Sequence, residues 1–126
     1  MKLAKLTESE QLVMKCVWMK DKHMSLPEIV SLANEHYSKE WKPQTVSTFL
    51  NHLVKKGFLN LYRDGRTFRY QPLIKEEEYS SFLLKSHIEF WNNNSIEAFA
   101  MSLCKKEVVS KEKRAVLKKL LDELED

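Results

Sequence analysis

The chain has 126 residues, of which 43% are apolar and 31% charged, and its formal net charge is +3. This size fits one compact core with an additional element, and the composition excludes a disordered chain. No apolar segment approaches the roughly 20 residues that cross a bilayer, and the first residues lack a signal peptide's apolar stretch, so we expect a cytoplasmic protein.

Two capping boxes predict the first two helices. Thr7 and Glu10 have the spacing of a capping box, and apolar residues follow them at helical intervals. Ser25 and Glu28 repeat the motif, and the pattern after them continues to about Tyr37. We therefore expect two consecutive helices before residue 40.

A third helix is predicted from Pro43 to Lys56, because proline favours a first turn and Gly57 is a typical terminating residue. One face carries an apolar stripe at helical spacing, formed by Val46, Phe49, Leu50, Leu53 and Val54. The remaining faces carry mostly short polar side chains, which suit contacts with base edges and phosphates.

A β-hairpin is predicted next. Two alternating runs of apolar and polar residues flank Asp64-Gly65, and an Asp-Gly pair is a strong signal for a two-residue turn. With this turn, Leu61 is expected opposite Phe68. Three helices followed by a hairpin with arginines near its tip have the order of a winged helix-turn-helix domain.

The charge distribution favours nucleic acid as the partner of this domain. Residues 39–71 have a net charge of +5, and no acidic residue occurs from Trp41 through Arg63. A basic region on a helix and an adjacent hairpin is the expected electrostatic signature of DNA binding. The candidate DNA-contacting residues are Lys42, Gln44, Thr45, Ser47, Thr48, Asn51, His52, Lys55, Arg63, Arg66 and Arg69.

The rest of the chain is predicted to be helical and to mediate dimerisation. We expect residues 1–73 to form the DNA-binding domain and residues 74–126 a helical dimerisation region, giving a mainly α protein with a small β-hairpin wing. The alternative is that these helices fold back on their own winged helix. The candidate dimerisation residues, in apolar stripes, are Tyr79, Phe82, Leu83, Phe90, Phe99, Leu103, Leu117, Leu120, Leu121 and Leu124.

Other classes of function have weaker support in the sequence. The four histidines show no metal-ligand spacing, and there is no glycine-rich phosphate loop, so we expect neither an enzyme nor a cofactor nor a metal site. Cys16 and Cys104 are isolated in apolar patterns and are expected to be buried. Two alternatives remain: a winged helix that binds protein, and a regulator whose carboxy-terminal aromatic residues line a pocket for a small ligand.

Motifs distributed over almost the whole chain also carry a family resemblance. They are Leu6-Thr7 with Glu10, Val13-Met14, Val17-Trp18, Glu28-Ile29-Val30, the segment from Trp41 to Thr48, the segment from Leu53 to Leu59, and Tyr70-Gln71-Pro72-Leu73. In order and spacing they resemble the penicillinase repressor family of BlaI, MecI and CopY type. The resemblance implies a dimeric repressor with amino-terminal DNA binding, and dimers of this kind read near-palindromic operators.

The chain departs from that family pattern at three places. Many relatives carry arginine where Ser47 and His52 stand, which implies a different operator preference. The copper-responsive branch ends in Cys-x-Cys motifs, whereas Cys104 is alone here. The β-lactam branch is cleaved at an Asn-Phe bond, and Ser102-Leu103 stands at the nearest aligned place, so a sensor protease as partner and the inducing signal stay open.

Overall fold

The computed structural model describes residues 3–105 and 108–124. Within them it has six helices and one hairpin, which confirms the mainly helical fold class. The elements are α1 (Glu8–Met19), α2 (Leu26–Tyr37), α3 (Pro43–Lys55), β1 (Leu59–Asp64), β2 (Thr67–Pro72), α4 (Glu76–Trp91), α5 (Ile96–Leu103) and α6 (Lys111–Glu123). None of the helices in the described ranges is long and apolar enough to cross a membrane.

The helix boundaries follow the capping residues. The Glu10 N–H donates to Thr7 Oγ1 over 3.2 Å, and the Thr7 N–H donates to Glu10 Oε1 over 2.8 Å, which completes the first capping box. The Ser25 N–H donates to Glu28 Oε1 over 2.9 Å in the second. Gly57 has a φ of +83°, a left-handed conformation that glycine adopts without strain, so α3 ends just before it.

The core of the winged helix lies where α1, α2, α3 and the hairpin meet. Its fully or almost fully buried side chains include Val13, Met14, Val17, Ile29, Ala33, Val46, Leu50, Leu53, Phe58 and Leu59. The two strands are antiparallel, and Met24 forms an isolated bridge with Tyr70 that extends the small sheet. This packing fixes α3 and the hairpin relative to each other.

The predicted register of the hairpin is wrong, because the turn lies one residue later and each partner on β2 is therefore shifted by two residues. Asp64 pairs with Thr67, so Gly65 and Arg66 form the turn, and Leu61 lies opposite Tyr70 instead of Phe68. Gly65 has a φ of +66°, and Asp64 and Arg66 have no positive φ. A positive φ at only the first central residue is typical of a type II′ turn, whereas an Asp-Gly turn of type I′ requires it at both.

The chain divides into two compact units, residues 1–82 and residues 83–126. The first contains the winged helix and the beginning of α4. The second contains α5, α6 and the rest of α4.

The expectation of two buried cysteines holds for only one of them. Cys16 is fully buried in the first unit, and burial raises the pKa of its thiol to about 11. Cys104 is exposed, because it caps the short helix α5 in a unit with few buried residues.

Candidate nucleic-acid interface

One face of α3 is open to solvent and polar. Val46, Leu50 and Leu53 are fully buried against the core, so the side chains on the opposite faces point away from it. Of the predicted contact residues near this helix, Ser47 is half-buried, and the exposed ones are Lys42, Gln44, Thr45, Thr48, Asn51, His52 and Lys55. Donors and acceptors on a convex helix face, without a carboxylate among them, fit a major groove.

The turn before α3 is held by an asparagine that the sequence analysis did not single out. The Asn34 side chain accepts a hydrogen bond from the Trp41 N–H and donates one to the Trp41 carbonyl, each 2.9 Å long. The Trp41 ring lies edge-to-face against Phe49 at 5.2 Å between centroids. These contacts fix the direction in which the first turn of α3 leaves the domain.

The end of α3 is tied to α1 by a buried carboxylate. Glu10 is 2% exposed, and its Oε1 accepts a hydrogen bond of 2.6 Å from Lys56 Nζ. Burial by itself raises the pKa of this carboxyl, but the hydrogen bonds from Lys56 and from the Thr7 backbone outweigh it and lower the pKa below its usual value. Glu10 is therefore the charged partner that positions the carboxy-terminal end of α3.

The same carboxylate lies beside one of the predicted contact residues. His52 Nδ1 is 3.4 Å from Glu10 Oε2, and the histidine side chain is half exposed. A group in this position can touch Glu10 on one side and a ligand on the other. The sequence predicts the capping role of Glu10. Its contacts with Lys56 and His52 depend on the tertiary fold, because these residues are far from it along the chain.

Two arginines occupy the tip of the hairpin. Arg66 is an exposed residue of the turn itself, and Arg63 is an exposed residue near the end of β1. Arg63 Nε donates to the Gly65 carbonyl over 2.9 Å, which holds the guanidinium against the turn. Both side chains are therefore accessible to a ligand, and their contact with phosphate or base edges stays a prediction.

Arg69 is in a different environment from the other two wing arginines. Its Nε donates to Asp64 over 3.1 Å, and one terminal nitrogen donates to the His23 carbonyl over 3.1 Å and lies 3.4 Å from Glu28. Hydrogen bonds from Lys22 and from the Ser25 backbone lower the pKa of Glu28 to about 2. Arg69 thus ties the hairpin to the beginning of α2, and a DNA contact by this residue stays a prediction.

The predicted dimerisation residues fall into three groups. Tyr79 is buried in the first unit, where its hydroxyl accepts a hydrogen bond of 2.8 Å from the Leu6 N–H and its ring packs on Phe58. Contacts within the chain therefore account for Tyr79. The half-buried residues are Phe82, Leu83, Phe99, Leu103 and Leu117. The exposed residues are Phe90, Leu120, Leu121 and Leu124.

Within residues 3–105 and 108–124, no group of three or more histidine, cysteine, aspartate or glutamate side chains has the arrangement of a metal site. The charged groups that come together there are ion pairs of opposite sign, such as Glu10 with Lys56. These pairs support the fold around α3 and the hairpin.

Known proteins resemble the chain over nearly its whole length. A model of the penicillinase repressor family matches residues 6–123. The penicillinase repressor of Bacillus licheniformis is 29% identical over 122 residues, which are 97% of the chain and 93% of that protein. The methicillin resistance regulatory protein MecI of Staphylococcus aureus strain N315 is 26% identical over 121 residues, which are 96% of each.

Solved structures of other proteins are also similar to the chain. The solution structure of Bacillus licheniformis BlaI, in monomeric form and in complex with the blaP half-operator, has a TM-score of 0.51 and 33% identity. The match covers 62% of the chain and 92% of that structure. A complex structure of hsRosR-S1 has a TM-score of 0.53 at 18% identity, with 94% of the chain and 91% of that structure covered, and shows likeness of fold alone.

Proposed function

Because the chain belongs to the penicillinase repressor family, we propose that it is a sequence-specific DNA-binding transcriptional repressor that acts as a homodimer on a near-palindromic operator. The observation that carries the DNA-binding part is the exposed polar face of α3 beside a hairpin with two exposed arginines. The protein acts in the bacterial cytoplasm, without a cofactor, and catalyses no reaction.

The two elements of the interface have different tasks. Thr48 and Asn51 are exposed on α3, where short polar side chains read base edges in the major groove. Arg66 lies at the turn of the hairpin and contacts phosphate, which fixes the position of the domain but carries no sequence information. The 33% identity to BlaI, which was solved in complex with the blaP half-operator, supports DNA as the ligand of this interface.

The dimer is supported by the apolar surface of the second unit. Phe90, Trp91, Met101 and Leu124 are each at least 69% exposed, and Leu120 and Leu121 are more than half exposed. Exposed large apolar side chains in this number are typical of a protein–protein interface. A second copy is the proposed partner, because two reading heads then match the two halves of a near-palindrome.

Selection from a random-sequence duplex library at two salt concentrations tests the proposal. We expect a recovered near-palindrome and an affinity that falls steeply as salt rises, because each neutralised phosphate contributes about −0.9 to the logarithmic salt slope. Failure to recover a motif, together with negligible binding at low salt, contradicts the DNA proposal. That outcome would favour a winged helix that binds protein.

Two variants separate base reading from phosphate contact. Asn51→Ala should change the selected motif at one position of each half-site, with a loss of about 1–3 kcal/mol for the original sequence. Arg66→Ala should weaken all sequences alike and reduce the salt slope by about one. An unchanged salt slope in Arg66→Ala would mean that the wing does not lie against phosphate.

A further inference from the structure

The hairpin has one face that begins in the core and ends in solvent. Side chains alternate along a strand, and the register places the following residues on one side, which we call the inner face of the wing: Leu59, Leu61, Arg63, Phe68 and Tyr70. Leu59 is 1% and Tyr70 is 5% exposed, whereas Leu61 is 38% and Phe68 is 54% exposed. The apolar surface therefore continues past the core towards the tip.

At the tip, an aromatic ring and a guanidinium form one preorganised unit. Arg63 Cζ lies 5.7 Å from the centroid of the Phe68 ring, and Arg63 is directly opposite Phe68 in the register. The hydrogen bond from Arg63 Nε to the Gly65 carbonyl holds the guanidinium in place. Among the residues that the structure describes, no group accepts a hydrogen bond from the two terminal nitrogens of Arg63, so they can bind a ligand.

The charges around this unit favour an anionic ligand. Asp64 is the nearest carboxylate along β1, and it lies on the opposite face of the hairpin, where it accepts a hydrogen bond from Arg69. Arg66 adds a further exposed positive charge at the turn. A ligand that contacts the inner face must therefore place an apolar surface beside a negative charge.

The sugar-phosphate wall of a DNA minor groove has this chemistry. The hairpin follows α3 after a short connection, so when α3 lies in the major groove the wing reaches the flanking minor groove. That groove is about 6 Å wide and admits single side chains, among them phenylalanine wedges. Burial there removes the exposed ring from water and strengthens its contact with the guanidinium.

We propose that Phe68 enters the minor groove beside each half-site and that Arg63, stacked on its ring, binds the adjacent backbone. This inference rests on the proposed function, and it adds a contact residue that the sequence analysis does not assign. Phe68 differs from Arg66 in kind, because an uncharged ring contributes affinity without contributing to the salt slope.

The test compares Phe68→Ala with the unchanged chain on a duplex that carries the selected motif. The matched control is Thr67→Ala, the neighbouring position on the opposite face of β2. Each protein is also measured on a duplex whose flanking adenines are replaced by 2,6-diaminopurine, which adds an amino group to the minor groove and leaves the major-groove edge unchanged.

We expect Phe68→Ala to bind the unmodified duplex roughly tenfold more weakly, with the salt slope unchanged. Diaminopurine should weaken DNA binding by the unchanged chain and by Thr67→Ala roughly tenfold as well. It should weaken binding by Phe68→Ala less than about twofold. Phe68→Leu keeps an apolar side chain and should retain most of the affinity, which guards against a fold defect in the alanine variant.

Three outcomes overturn the inference. They are an affinity of Phe68→Ala within about twofold of the unchanged chain, an equal response of the two proteins to diaminopurine, and a reduced salt slope in Phe68→Ala. In each of these cases the unchanged chain still binds its motif, so the proposed function stands. If the unchanged chain binds no duplex, the proposed function fails, and the inference fails with it.

Discussion

The two units of the molecule differ in how far they bury their apolar side chains. In the first unit, α1, α2, α3 and the hairpin enclose a core in which Phe58, Leu50 and Leu53 are fully buried. In the described part of the second unit only Ile88 is buried, at 8% exposed, whereas Phe90 and Trp91 are about 70% exposed. The first unit therefore has a core of its own, and the second exposes the apolar side chains that we propose for dimerisation.

The sharpest test of this difference places the same substitution in each unit. Phe58→Ala should lower the free energy of unfolding by about 3–5 kcal/mol, because the ring is fully buried and packs edge-to-face on Tyr79 at 5.3 Å. Phe90→Ala should leave the first unit's stability unchanged. Urea unfolding gives both values when it is followed at a concentration where the chain is monomeric, by tryptophan fluorescence in a Trp91→Phe background that leaves only Trp18 and Trp41 of the first unit. Equal losses in the two variants would refute the comparison.

A charge at the exposed apolar surface should affect association and leave the first unit intact. Leu121→Glu places a carboxylate where we propose a partner helix, and we expect the dimer dissociation constant to rise by roughly 30-fold or more, equivalent to about 2 kcal/mol. Sedimentation velocity over a range of concentrations measures it. Lys119→Glu introduces the same side chain on the same helix and should have a smaller effect. If both variants dimerise like the unchanged chain, α6 is not the interface.

The buried carboxylate of Glu10 should make the stability of the first unit depend on its ion-pair partner, Lys56. Lys56→Met leaves the Glu10 carboxylate without its ammonium, and we expect a loss of about 1–2 kcal/mol near neutral pH, since the Lys56 side chain is 29% exposed. The native pKa of Glu10 is lowered, so this stabilisation is present above the ordinary value of 4.5 and is lost as pH falls through the native pKa.

Denaturant unfolding at several pH values checks this prediction. The stability difference between Lys56→Met and the unchanged chain should become smaller in acid, because protonation removes the unpaired charge. Glu10→Gln combined with Lys56→Met provides the control, and in that background the pH dependence should be weaker. A stability difference that stays constant from neutral pH to acid would exclude the ion pair as its cause.

The smallest effect is expected at Glu28. Its native pKa of about 2 lies below the ordinary value of 4.5, so its contribution to stability is complete above pH 4.5 and is lost between about pH 4.5 and 2. Glu28→Gln should remove this acid-dependent decrease in the melting temperature of the first unit. Because the carboxylate is one-third exposed, the shift should be small. Glu77→Gln, an exposed residue of the same unit, is the matched control and should leave the decrease in place.

Local signals in the sequence predicted most of the fold. The capping pairs at Thr7 and Ser25, the proline at 43 and the glycine at 57 act through neighbouring residues, and the structure has its helix ends at these places. The hairpin register was wrong because Asp64-Gly65 and Gly65-Arg66 both fit a two-residue turn. Only the conformations of the turn residues distinguish the two.

The sequence predicts which residues lie on the candidate site, but it does not predict the contacts that hold the elements of the site in place. Helical periodicity is enough to place polar residues on the outer face of α3, where the structure has them. The contacts of Arg69 with the His23 carbonyl and Glu28, and the clasp between Asn34 and Trp41, join residues from different elements. No local pattern in one sequence encodes such pairs.

The attachment of Arg69 has a thermodynamic consequence for binding. Because Asp64, the His23 carbonyl and Glu28 already hold this side chain, the hairpin has little conformational entropy left to lose when it meets a ligand. Loosening the attachment with Arg69→Met should therefore appear in calorimetry as a less favourable binding entropy. The ion pairs and hydrogen bonds of Arg69 on the outer face of the wing therefore preorganise its inner face for binding.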